Sequence, residues 1–342
     1  HSSQQQNDAT VGNTRLQRRW KAGMSRILGY NDILRVISAR PPLLMVDRIE
    51  LAEDGTSAKA TKCVSMDEQF FQGHFPGGPI MPGVLQIAAM YQTACALIRE
   101  EHLDASDARF PRLCSMNRIK FRKPVFPGDL LQLEVAITPC DGGFSVKAKG
   151  EVDGQTVSQG NLGIEVVDSD DACICPDALV APPKYFADAK PETVMGTLGV
   201  MQIIPHRYPF LLIDKVIKIS DDLTGPGPHL VGLKNVTGNE PFMRSMTPPA
   251  LPGYLQVEAA AQAACVTALS KPGNEDLIGY FMSIDSASFE HPIVPGDQLV
   301  MEMILTDRGR FGIAEGTLFV GGRRVSHSVL KFALVEREQE TE

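Results

Sequence analysis

The chain has 342 residues, 43% of them hydrophobic, and 33 Lys and Arg stand against 41 Asp and Glu for a formal net charge of −8. That length suits two domains with full cores, and the acidic balance excludes a global attraction to nucleic acid or anionic lipid. No charge-free run of 18 apolar residues occurs, which argues against a helical membrane span. The seven cysteines lack paired CxxC spacing, which argues against a zinc or disulfide framework and favours a reducing compartment.

In chain order, HSSQQQNDATVGNT is polar, and the basic stretch TRLQRRWKAGMSRIL that follows predicts a short amphipathic helix with Trp20, Met24, Ile27 and Leu28 on one side. Residues 1–28 are therefore read as an N-terminal arm, either packed on the body or the remnant of an organelle-targeting region, since the first residue is His1 rather than Met. A helix is expected over about 29–39, then a strand in LLMVDRI, a turn-rich connection, a second strand, and the loop GHFPGGPIMPG at 73–83. The following segment, 83–100, is apolar nearly all round, as a helix enclosed by other elements is. Three alternating strands, about 113–123, 129–138 and 144–166, end this unit, with PGD and DGG as turn signals between them. An acidic, then Pro- and Ala-rich linker occupies 169–193.

The pattern then starts again. PPLLMVDRIE at 41–50 matches YPFLLIDKVI at 208–217, PGVLQIAAMYQTAC at 82–95 matches PGYLQVEAAAQAAC at 252–265, and FRKPVFPGDLLQLEV at 121–135 matches FEHPIVPGDQLVMEM at 289–303. The offsets are 167, 170 and 168 residues, so order and spacing hold through the whole unit. The chain thus carries two copies of one domain, 29–168 and 194–339. In the second copy, helices are expected over 196–204 and 253–269 and strands over 279–291, 297–306 and 311–335. A strongly bent antiparallel sheet around one central helix is the economical α+β arrangement for each copy.

HFPGGPIMPGVLQI, HRYPFLLIDKV and KPVFPGD resemble the (3R)-hydroxyacyl-acyl carrier protein dehydratases of FabZ type, and the resemblance covers both copies. It implies a double hotdog: two units side by side, their sheets joined into one, their central helices adjacent, with each active site at the pair interface. In that family a histidine from one unit meets a glutamate from the other unit's helix, fourteen positions after the histidine in its own unit. Here the residue fourteen after His74 is Ala88, whereas the aligned position in copy two is Glu258. The copy-two loop, NEPFMRSMTPPALPG at 239–253, is two residues shorter than DEQFFQGHFPGGPIMPG at 67–83 and has no histidine. One copy keeps the base and the other the acid, so the resemblance implies an intramolecular pseudo-dimer with one working centre and one dead one.

The implied reaction removes water from a (3R)-hydroxyacyl thioester to give the trans-2-enoyl thioester, with His74 as general base. Glu258 would protonate or hydrogen-bond the departing hydroxyl, its pKa raised by burial so that it carries a proton. The backbone N–H of Gly83, at the start of the helix, would bind the thioester oxygen as charge develops there. Phe70, Phe71, Phe75, Met81, Ile87, Met90 and Met116 are candidates for the acyl tunnel. Gln92 and Gln262 are expected to be structural hydrogen-bonders, and His206, which stands where copy one has Ala39, is read as structural. No cofactor and no metal is called for. The partner implied is an acidic acyl carrier protein, for which Arg118, Lys120, Arg122 and Lys123 supply a basic patch; at an offset of 168 copy two has Ser286, Ser288, Glu290 and His291. A homo-oligomer of pseudo-dimers and a plastid-type organelle, or else the cytoplasm, complete the expectations. Four other readings stand beside this one: a catalytically inactive hotdog scaffold or binding subunit, a dehydratase of a polyunsaturated fatty acid or polyketide pathway, a thioesterase on the same fold, and a FabA-type dehydratase-isomerase. Against the last, that family has aspartate where this chain has Glu258.

Overall fold

In the computed structural model, the described residues are 25–104, 106–168, 192–220, 222–225, 227–274, 276–309 and 311–336. Copy one supplies strands β1 (Arg26–Leu28), β2 (Arg48–Leu51), β3 (Ser57–Cys63), β4 (Phe110–Phe121), β5 (Leu130–Cys140), β6 (Gly143–Val152) and β7 (Gln155–Val167), with helices α1 (Tyr30–Val36) and α2 (Gly83–Glu101). Copy two supplies α3 (Thr197–Ile203), β8 (Lys215–Ile219), β9 (Leu230–Asn235), the one-turn α4 (Pro241–Arg244), α5 (Gly253–Leu269), β10 (Leu277–Phe289), β11 (Gln298–Arg308), β12 (Phe311–Val320) and β13 (Arg323–Glu336). The thirteen strands form one sheet in the order β1-β2-β3-β5-β6-β7-β4-β10-β13-β12-β11-β9-β8. The seam is the antiparallel β4–β10 pair, with Lys120 opposite Ser283 and Ser115 opposite Ser288. Hydrogen bonding therefore runs unbroken from one copy into the other, as in a double hotdog.

The strands follow from period-2 patterning. In β5, Leu131, Leu133, Val135 and Ile137 are buried while Leu130, Gln132, Glu134 and Ala136 between them face water. The central helices lack a polar side because nothing around them is wet: 14 of the 19 residues of α2 and 15 of the 17 of α5 are buried. Each helix is wrapped by its own sheet and packs against the other, which puts side chains of α5 at the seam between the copies.

Two expectations are corrected. The segment 144–166 is a hairpin, β6 and β7, and its counterpart 311–335 is β12 and β13. A single strand of those 23 residues would run roughly 75 Å, and Asp153-Gly154, both at positive φ (50° and 72°), turn the chain back. Second, Ile27 and Leu28 lie in β1, paired with β2, not in an amphipathic helix. Leu28 is buried and Ile27 exposed, the alternation of an edge strand. Trp20 and Met24 lie outside the described residues, as do Cys173, Cys175 and nearly all of the linker. No helix among the described residues is long and apolar enough to cross a membrane.

The histidine loop is clamped between the copies. The Arg207 N–H donates to the Gly73 carbonyl at 3.0 Å, and the Arg40 N–H donates to the Ser245 carbonyl at 2.8 Å in the pseudo-symmetric contact. A Cβ at Gly73 would lie 2.1 Å from the Arg207 carbonyl oxygen, so the close approach requires glycine there. Upstream, the buried Lys62 ammonium pairs with Glu68, and Lys234 pairs with Glu240 at 2.9 Å in copy two. The loop ahead of His74 is thereby fixed to its own sheet.

Candidate active site

His74 closes the one-turn 3-10 helix Gln69–Gln72, its N–H donating to the Phe70 carbonyl at 2.9 Å. Its ring stacks on Phe75, with centroids 4.0 Å apart, and meets Phe210 edge-on at 5.5 Å. Nδ1 lies 2.7 Å from the Ile80 carbonyl. A carbonyl only accepts, so Nδ1 carries the hydrogen and Nε2 is left with its lone pair. Burial first, and the neighbouring His206 second, push the His74 pKa down from 6.5 to about 4, with Glu258 pulling the other way. The imidazole is neutral at pH 7 and able to take a proton.

Glu258 comes from α5, one helical turn in, and is 5% exposed. Its Oε1 accepts a hydrogen bond from Gln262 Nε2 at 2.8 Å and lies 3.3 Å from His206 Nε2. The Gln262 amide is held in this orientation by the Leu212 N–H, which donates to Oε1 at 2.8 Å, while its Nε2 also donates to the Phe210 carbonyl at 2.8 Å. His74, His206 and Glu258 each offer a ligating atom, and these atoms all lie within 4.8 Å of one another. One base from copy one thus meets two groups from copy two in a single cluster.

The charge state of Glu258 differs from the expectation of a protonated acid. Desolvation does raise its pKa, but the His206 hydrogen bond, the two imidazoles and the Gln262 amide together outweigh it, and the net shift is downward. The carboxyl is ionised at neutral pH. Burial decides the state of a carboxyl only where it has no donors, and the i+4 glutamine in VEAAAQ is the sequence signal that a donor is present. His206, read from sequence as structural, is likewise part of the cluster.

Two imidazoles and a carboxylate are also a common zinc set. Here Glu258 Oε1 already faces two N–H donors, and His206 Nδ1 is buried without a partner. A metal-bound imidazole needs an acceptor for its other N–H, so the donor set suits a hydrogen-bonded acid–base centre better than a metal.

Gly83 begins α2 behind Pro82, and its N–H has no acceptor among the described residues. The Phe121 ring covers it so closely that a Cβ would lie 2.7 Å from the ring. Of the candidate tunnel residues, Phe75 lies in the cluster, its ring 5.0 Å from that of His206. Phe70, Phe71, Met81, Ile87, Met90 and Met116 are all buried in the main apolar core. Within it, the Met90 methyl faces Gly150 of its own sheet. Arg118, Lys120, Arg122 and Lys123 are exposed at or near the seam strand β4. Lys123 donates to Gln155, and none of the four belongs to an ion pair among the described residues. In copy two Glu290 instead pairs with Arg324 at 2.8 Å.

The pseudo-symmetric position carries Met246, Ala39 and Ala88 where the cluster carries His74, His206 and Glu258. Beside Met246 lies a partly open cavity of about 90 Å³, lined also by Tyr91, Tyr254 and Phe289 among others. Gln92, the counterpart of Gln262, bonds Met45 N–H and the Leu43 carbonyl in the same way but has alanine four residues before it. That position lacks all three titratable groups.

The FabA-like domain pattern matches residues 37–161 and again 204–328. The chain belongs to the FabA-like family. It is 44% identical over 140 residues to the 3-hydroxyacyl-acyl-carrier-protein dehydratase FabZ of Symbiobacterium thermophilum, covering 40% of this chain and 94% of that protein. It is 47% identical over 143 residues to the FabZ of Roseiflexus castenholzii, 40% of this chain and 96% of the relative. One such relative therefore corresponds to about one copy of this FabA-like chain. Among solved structures, the dehydratase domain from the CurJ module of curacin polyketide synthase superposes with a TM-score of 0.57 at 15% identity, over 85% of this chain and 96% of that one. A trans-AT polyketide synthase dehydratase domain from Brevibacillus brevis gives 0.56 at 12% identity, over 88% and 100%. At that identity the likeness is one of fold, two hotdogs in tandem.

Proposed function

We propose that this FabA-like protein is a hydro-lyase that dehydrates (3R)-hydroxyacyl-acyl carrier protein to the trans-2-enoyl thioester, with one composite centre per chain. The observation that carries the reading is the meeting of His74 from copy one with Glu258 and His206 from copy two within 4.8 Å. The likeness of single copies to FabZ enzymes at 44% and 47% identity supports the substrate class.

The charge states shape the mechanism. Neutral His74 takes the proton from the carbon next to the thioester carbonyl at Nε2, and the charge that develops on the carbonyl oxygen is met by the Gly83 N–H at the positive end of α2. Ionised Glu258 accepts a hydrogen bond from the 3-hydroxyl through Oε2 and orients it. The carbon–oxygen bond then breaks, and the proton that His74 collected passes to the leaving oxygen by way of Glu258. One proton is moved, one water leaves and a double bond remains, so no external acid or base is consumed. Arg118, Lys120, Arg122 and Lys123 provide the docking face for the acidic carrier protein.

The test is the hydration–dehydration assay on a hydroxyacyl or enoyl thioester, following enoyl absorbance. His74→Ala and Glu258→Gln are each expected to lower kcat by about 10²- to 10⁴-fold, the value of a positioned proton-transfer group. Wild-type rates in either variant would remove the assignment.

A further inference from the structure

We propose that His206 is a positioning residue of this centre: its Nε2–H, together with the Gln262 amide, holds Glu258 by Oε1 and leaves Oε2 to the substrate. The inference rests on the roles given above to His74 and Glu258.

Three observations converge. Oε1 lies 2.8 Å from Gln262 Nε2 and 3.3 Å from His206 Nε2, and no hydrogen bond engages Oε2 among the described residues. A carboxylate only accepts, so Nε2 of His206 carries the hydrogen. Nδ1 is buried without a partner, so the edge of the ring turned to Glu258 is the one that carries its polar contact. With Gln262 bonded to Oε1 and His206 Nε2 3.3 Å from it, a proton that Glu258 takes up goes to Oε2, which is left for the 3-hydroxyl.

The ring itself is held in place. His206 is 8% exposed, wedged edge-on against Phe75 at 5.0 Å and His74 at 5.4 Å. The next residue, Arg207, donates its N–H to the Gly73 carbonyl, and its guanidinium bonds the carbonyls of Met201, Ile204 and His206 at the end of α3. Arg40 makes the corresponding bonds to Leu34, Ile37 and Ala39 in copy one. The scaffold for a side chain at this position is therefore built twice. Only the copy that carries Glu258 fills it with histidine, while the other site has Ala39, Ala88 and Met246 together. A histidine needed only for folding would have no reason to be absent from the copy whose opposing carboxylate is also absent.

The titratable groups facing His206 are His74 on its loop and Glu258 on α5. Its influence lowers the pKa of both, so its removal raises both. His206→Ala is expected to lower kcat about 10- to 100-fold, the worth of a hydrogen bond to a charged group, with KM little changed. The acid limb of kcat/KM moves toward neutral pH. His206→Gln places an amide Nε2 where the imidazole Nε2 was and is expected to recover kcat to within about fivefold of wild type, since the donor is restored. Loss of packing alone would lower the melting temperature but would move neither the limb nor the split between kcat and KM. With Glu258→Gln inactive in parallel, an unchanged kcat and acid limb in His206→Ala, or a His206→Gln enzyme as impaired as His206→Ala, would overturn the positioning role alone. A fully active Glu258→Gln enzyme would overturn the assignment of Glu258 and this proposal with it.

Discussion

The depressed pKa of His74 makes a quantitative prediction for activity against pH. The base must be neutral to act, so kcat/KM follows its neutral fraction in the free enzyme. An imidazole at the ordinary value of 6.5 would be about 9% neutral at pH 5.5, and kcat/KM would have dropped roughly tenfold from its plateau. With burial and His206 holding the value at about 4, about 97% remains neutral at pH 5.5, and the rate should be unchanged. In the proposed mechanism Glu258 acts as a carboxylate, and its pKa is also shifted down from 4.5, so it adds no limb at higher pH. The assay is kcat/KM for a small enoyl thioester from pH 4.5 to 8, with circular dichroism at each pH to confirm that the protein is folded. A flat profile down to about pH 5 is expected. A limb centred near 6.5 in folded protein would refute the desolvated setting inferred for His74.

Three further predictions concern the interface, the dead site and the docking face. Gly73→Ala drives a methyl into the Arg207 carbonyl; it should destabilise the fold by about 1–3 kcal/mol as overpacking does, and cut kcat by up to about 100-fold by displacing the adjacent His74, read by denaturant melts and initial rates. Ala88→Glu puts a carboxyl into a fully buried position; it should cost about 3 kcal/mol or more and add no activity, because Met246 stands where the base would be, and a gain in kcat per chain would contradict the need for a histidine base. Changing Arg118, Lys120, Arg122 and Lys123 to Glu together should raise the apparent KM for carrier-bound substrate and leave a small thioester unaffected, whereas equal losses on both would remove the docking role.

Much of the architecture is written in the repeat. Helices α2 and α5 start where a proline precedes glycine and stay apolar on every side, so both were legible to within a residue. The crossing of His74 with Glu258 follows from the resemblance, which implies a site shared between the two units, once the copies are compared at a known offset. What stayed hidden depends on contacts that patterning does not encode. The turn at Asp153-Gly154 was open to view in its Asp-Gly pair, a strong hairpin signal, but the β-forming runs on either side read as one strand; β1 lies in a basic stretch whose last residues suit either periodicity. His206 was open to the same comparison between copies, Ala39 against His206 beside Ala88 against Glu258, but its distance from His74 and Glu258 in sequence gave no sign that the fold closes them into one cluster. The ionised state of Glu258 required knowing that Gln262 and His206 both point at it.

The most direct measurement is complementation between two dead chains. His74→Ala and Glu258→Gln variants, each inactive alone, are co-expressed and the mixed pool is assayed per chain against wild type. Because the base and the carboxylate meet within one chain, the pool should stay as inactive as its components, in any assembly that pairs whole pseudo-dimers. Recovery of a substantial fraction of wild-type activity would mean that His74 of one chain works with Glu258 of another, and would contradict the intramolecular centre.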